Sequence, residues 1–100
     1  MSVHPAIARV LERAARGQSV AAAAAAEGLH VAEGVELDAC HDGKPVCPVR
    51  PSWMIAGTPV FVVDEGIPAS VAEARRRSLA RALGQPVGFL ASGSWSAATP

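Results

Sequence analysis

The sequence predicts an α+β fold, and three observations carry that reading. Apolar residues recur at helical spacing over residues 4–17 and 70–83, and the spacing switches to alternation after Gly28. A strand–helix–strand succession then occupies residues 59–91. The expected order is α-α-β-β-β-α-β: two N-terminal helices, a β-hairpin and a third strand, then a βαβ unit. Residues 1–91 are expected to form a single small domain, and 92–100, "SGSWSAATP", a loose C-terminal tail.

Each element has a local reason. Over residues 4–17, Val3, Ile7, Val10, Leu11 and Ala14 share one stripe, opposite Arg9, Glu12, Arg13 and Arg16. Pro5 suits a first helical turn, where its missing N–H has no partner to lose, and Gly17 suits a C-terminal cap. Ser19 can cap a second helix over 20–27, whose alanine run has almost no polar face and is read as packed. "VELDAC", residues 35–40, alternates, and Asp42-Gly43 is a two-residue hairpin signal leading into "KPVCPV". "WMIAGTPVFVVDEG" reads as a strand broken near Gly57-Thr58-Pro59, and its "VFVV" half as a strand covered on both faces. In the 70–83 helix, Ser70 and Glu73 make the S-x-x-E capping box, Glu73 and Arg77 pair at i,i+4, and Gly84 stops it. "PVGFLAS" is the last strand, parallel to "VFVV".

Composition narrows the function classes. Half of the residues are hydrophobic, but aromatics make up only 4%, so Val, Leu, Ile and Ala must fill the core around Trp53, Phe61 and Phe89. Formal net charge is zero, with acids and bases interspersed, so neither a nucleic-acid footprint nor a membrane-surface stripe stands out. No stretch approaches the ~18 apolar residues of a membrane span. The N-terminus lacks the basic start and long apolar region of a signal peptide, so cytoplasmic residence is expected, with reduced thiols. The Ala, Arg and Gly usage suggests a GC-rich bacterial genome.

"DACHDGKPVCP", residues 38–48, gathers Cys40, His41 and Cys47. With Asp42-Gly43 in the turn, Cys40 faces Pro45 and Cys47 faces Asp38, leaving the cysteines diagonal, ~7–8 Å apart. A disulfide wants roughly 5.5–6 Å. Zinc sites favour C-x(2–4)-C spacing and four ligands, whereas successive strand residues 40 and 41 point to opposite faces. The stretch therefore reads as a hairpin with two thiols, and no metal or cofactor is expected.

The first two helices invite a helix-turn-helix reading, with Ala24, Gly28 and Leu29 in suitable places. Its recognition helix, residues 31–40, would hold Gly34 at a core position and offer Glu33, Glu36 and Asp38 to phosphates, which repel them. Arg75, Arg76, Arg77 and Arg81 are read as the solvated face of the 70–83 helix. "GTPVFVVDEG", residues 57–66, resembles the cis-proline strand of thioredoxin-like proteins over those ten residues, without a C-x-x-C; the resemblance implies only that Pro59 is a cis residue. The βα corner "DEGIP" is the best ligand candidate, because ligands of α/β units gather at the carboxyl ends of parallel strands. Asp64 and Glu65 sit there, where they also complement the helix dipole.

The expected function is a small binding or assembly module working through protein–protein contacts and self-associating, with Trp53 and Trp95 as interface anchors. A homo-oligomer is expected, with no nucleic acid and no membrane as partner. The alternative is a small enzyme or a thiol or metal accessory protein using Cys40, His41, Cys47 or the Asp64–Glu65 pair; a third reading is a DNA-binding regulator. No catalytic set is picked out.

Overall fold

A computed structural model describes residues 3–41, 43–63, 66 and 68–100, with Val46 and Cys47 described by backbone alone. The helix α1 (Pro5–Ala15) begins at an N-cap His4 whose Nδ1 accepts the Ala6 N–H at 3.1 Å, with Pro5 in the first turn. Its apolar stripe is the buried one: Ile7, Val10 and Leu11 are all inside. The second helix, α2 (Val20–Ala26), starts where Ser19 Oγ accepts the Ala22 N–H at 3.1 Å. Val20, Ala23 and Ala24 are buried, while the other alanines face out, so small side chains serve close approach on one side only.

The strands are β1 (Val31–Glu33), β2 (Leu37–His41), β3 (Lys44–Val49), β4 (Trp53–Ile55), β5 (Thr58–Val62), β6 (Val87–Ala91) and β7 (Ser94–Ala98), with α3 (Ala69–Leu83) between β5 and β6. Five of them form one mixed sheet in the order β1-β4-β5-β6-β7, while β2 and β3 form a separate antiparallel pair. Among the described strands only β5 and β6 run parallel, which is the expected βαβ unit. The class is α+β, and the element order follows the expected one with additions.

Those additions have physical reasons. The strand expected to break near Gly57 instead reverses: Ile55 pairs with Thr58, and the loop residues Ala56 and Gly57 have φ of 48° and 84°. Two successive positive φ values make the turn that matches strand twist. The Thr58–Pro59 bond is trans, so the cis-proline resemblance does not extend to it. Residues 94–98, expected in a loose tail, pair along the whole of β6. Residues 31–33 and 37–41, expected in part as a recognition helix under the DNA-binding reading, are strands, which removes the helix-turn-helix.

The β1–β4 and β2–β3 pairs are two halves of one antiparallel ribbon, bent between them. At the bend the Gly34 N–H donates to the Ser52 carbonyl at 3.4 Å, and a Cβ on residue 34 would overlap the carbonyl of Pro51. Pro51 is itself fully buried. The outer half then lies against α3 through β2, where Ala39 is buried.

Strand alternation gives the sheet two covered faces. Ile55, Val60 and Leu90 join Ile7, Val10, Leu11, Ala23 and Ala24 in one cluster, with Val31, Trp53 and Trp95 packed against it. Phe89, Val87 and Ala80 form the other, with Phe61, Leu79, Leu83 and Ala98 around them. Gly88 faces α1 without a side chain, and a Cβ there would stand 2.9 Å from Leu11 Cδ1. "VFVV" is not covered throughout, since Val62 is 59% exposed at the end of β5. On α3 the N-cap is Pro68, with no side-chain cap bond, so Ser70 lies inside the helix and the expected capping box is not formed. Gly84 does end it, with φ 70°.

Candidate functional site

The Cys-His-Cys stretch forms the predicted hairpin, with one change of register. Cys40 pairs with Pro45, as the Asp42-Gly43 turn requires, although Asp42 lies outside the described residues. A bulge between Ala39 and Cys40 then shifts the ladder, so Cys47 pairs with Ala39 rather than with Asp38. Cys40 is a free, exposed thiol, and His41 is also exposed. No group of three or more His, Cys, Asp or Glu side chains could hold a metal ion among the described residues. Asp64 and Glu65, the ligand corner expected from the sequence, lie outside the described residues.

The remaining candidates, Trp53 and Trp95, are half-buried and pack against the core of their own chain. Trp95 is the better anchored. Its indole Nε1–H donates to Glu12 Oε2 at 2.6 Å, which ties β7 to α1. Glu12 is held in turn by Arg16 at 2.9 Å, one helical turn on. Elsewhere on α1, Arg9 and Arg13 meet Glu27, which binds Arg9 Nε at 2.8 Å and lies 3.8 Å from Arg13. The hydrogen bond from Arg9 holds the Glu27 carboxyl below its ordinary pKa and raises that of Arg9.

On the opposite face, α3 and β7 flank an open groove of about 420 Å³ lined by Glu73, Arg76, Arg77, Ser96, Ala98 and Thr99 among others. Arg76 spans it. Its guanidinium donates to Ser96 Oγ at 2.9 Å and lies 5.5 Å from the centre of the Phe89 ring, a cation–π arrangement. Phe89 in turn stacks on Phe61, with centroids 6.0 Å apart. Arg77 pairs with Glu73 at 3.3 Å, as the i,i+4 spacing predicts. Of the four arginines read as a solvated face, Arg75, Arg77 and Arg81 are exposed, while Arg76 is half-buried and bonded to β7.

The edge of the sheet runs along this groove. The Val63 N–H donates to the Leu90 carbonyl at 2.9 Å, so the polar backbone groups of Leu90 point to β5. Its neighbours Phe89 and Ala91 then point theirs to β7, where they pair with Ser96 and Ser94. It follows that Ser94, Ser96 and Ala98 bond back to β6, while Trp95 and Ala97 turn their N–H and C=O groups to the open side. Among the described residues, no strand stands beyond β7 in the sheet.

Sequence reasoning named Trp95 but not Ser96, Ala97, Arg76 or Glu12 as its surroundings. One signal was present: Ser92-Gly93, a two-residue turn with Gly93 at φ 78°, which makes the β6–β7 hairpin.

The geometry defines a small α+β protein with a mixed five-stranded sheet, covered on both faces and open at β7. Comparison with protein-family models, with curated proteins and with solved structures finds no match. No helix is long and apolar enough to cross a membrane among the described residues.

Proposed function

We propose that this chain is a binding and assembly module that works through protein–protein contacts and associates with itself. The observation that carries the reading is the β7 edge, a five-residue strand without charge or proline that ends the sheet beside an open groove. Such an edge is a template for another chain, and proteins commonly blunt it with charges, prolines, bulges or cover. The ionisable groups around it are engaged structurally: Arg76 with Ser96 and Phe89, Arg77 with Glu73, Glu12 with Trp95 and Arg16. They build the walls of a contact surface rather than converge on a reacting atom. Cytoplasmic residence belongs to the same proposal.

Sedimentation velocity over a concentration series tests it. The expected result is a mass that rises with concentration above the 10.2 kDa of one chain. A sharp 10.2 kDa species up to high micromolar concentration would overturn self-association.

A further inference from the structure

We infer that the chain forms a two-fold dimer in which β7 pairs antiparallel with β7 of a second copy about Ser96, joining two five-stranded sheets into one. This rests on the self-association reading above and names its partner and register.

The open strands are not equivalent. β1 has three residues, one of them Glu33, β2 carries Asp38 and a bulge, and β3 carries Lys44, Pro45 and Pro48, so all three are poor templates. β7 reads Ser-Trp-Ser-Ala-Ala and carries none of these features.

The pattern of its free backbone groups also selects a register. Trp95 and Ala97 are the outward-facing residues, and they lie symmetrically about Ser96. A two-fold axis through Ser96 therefore sets Trp95 against Ala97 of the second copy, and Ala97 against its Trp95. Both pairs exchange N–H···O=C bonds in both directions, which satisfies the outward groups of these residues. A shift by one residue would instead place the inward-bonded groups of Ser94, Ser96 or Ala98 opposite the free ones.

Side chains agree with that register. Trp95 and Ala97 share the α1 face, where the indole is half-buried and Ala97 is exposed. An alanine directly across leaves room for the uncovered part of the indole. On the other face α3 leaves the groove open beside β7, so an added strand meets no cover to displace.

The test uses the full chain. Ala97→Pro deletes an N–H that points away from β6, so the internal ladder keeps its bonds. Wild type is expected at twice 10.2 kDa and the variant at 10.2 kDa, with matching circular dichroism. A second variant decides the matter even if that proline unfolds the chain. Ser96→Cys, with Cys40→Ser and Cys47→Ser, puts thiols on a non-hydrogen-bonded pair whose Cα atoms lie ~4.5 Å apart, within the ~4.4–6.8 Å disulfide range. Mild oxidation is expected to convert most of it to a covalent dimer, while Ser92→Cys in the same background stays uncoupled. A dimeric wild type without the residue-96 cross-link overturns the β7 pairing and leaves self-association standing. A monomeric wild type overturns both.

Discussion

A side chain on residue 34 would meet a carbonyl rather than a flexible neighbour, and this makes Gly34 the most tightly enclosed of the glycines. The Pro51 backbone cannot retreat, because that proline is fully buried. Gly34→Ala is expected to cost about 3 kcal/mol by forcing the two arms of the ribbon apart. Urea denaturation checks it, and a midpoint equal to wild type would mean the bend relaxes freely. Gly88→Ala meets only the tip of Leu11 and should be milder. At Glu27 the prediction concerns pH. Its carboxyl is held below the ordinary value by the Arg9 hydrogen bond, so the folded pKa lies below the unfolded one. The stabilisation is then complete above the unfolded value and lost as pH falls through the folded one. Arg9→Ala should be less stable than wild type at about pH 6, with the gap closing below about pH 4. Thermal midpoints of the two proteins measured across that range provide the check; a constant gap would assign the loss to packing.

At the scale of elements, two serines with similar sequence contexts take different roles. Ser19 caps α2 through its Oγ, whereas Ser70 sits in the first turn of α3 behind the N-cap Pro68. Ser19→Ala should lower stability by about 1 kcal/mol. Ser70→Ala should stay within about 0.5 kcal/mol of wild type. Equal losses in guanidinium titrations would contradict the assignment. The same contrast shows what the sequence could reveal. Helix stripes, the Gly84 stop, the Cys40–Pro45 pairing and the parallel β5–β6 unit all follow from local spacing or turn chemistry, and all are legible. The capping box failed because Pro68, with its extended backbone, ends the preceding segment and starts the helix earlier than Ser70 would. The bulge beside Cys40 was not legible, since the turn fixes register only until an extra residue enters the ladder. β1 and β7 were missed for a common reason. Three residues, or five of which four are serine or alanine, carry little strand preference, and their state comes from distant partners in β4 and β6.

For the molecule as a whole, β7 is the piece that closes the fold, although nothing in its composition suggests so. It brings Trp95 to the α1 cluster and Ala98 to the α3 cluster, so one short strand contributes to both cores. It also takes up the backbone groups of Val87, Phe89 and Ala91 that face away from β5. Cutting the chain after Ala91 would expose Phe89 and Leu90, now 3% and 6% accessible, along a bare inner strand. It would also release Glu12 and Arg76 from their partners on β7. A large buried aromatic alone is worth about 3–5 kcal/mol, and a small domain has only about 5–15 kcal/mol in total. Trp95 is half-buried, so its share is smaller, but the lost ladder and the second core add to it. The truncated chain 1–91 is therefore expected to lose cooperative unfolding and the dispersion of its amide proton spectrum, while Trp95→Phe, which keeps the ring and drops the Glu12 bond, should fold with a lower midpoint. A well-dispersed spectrum from 1–91 would show that the α1 and α3 layers hold the sheet without its edge.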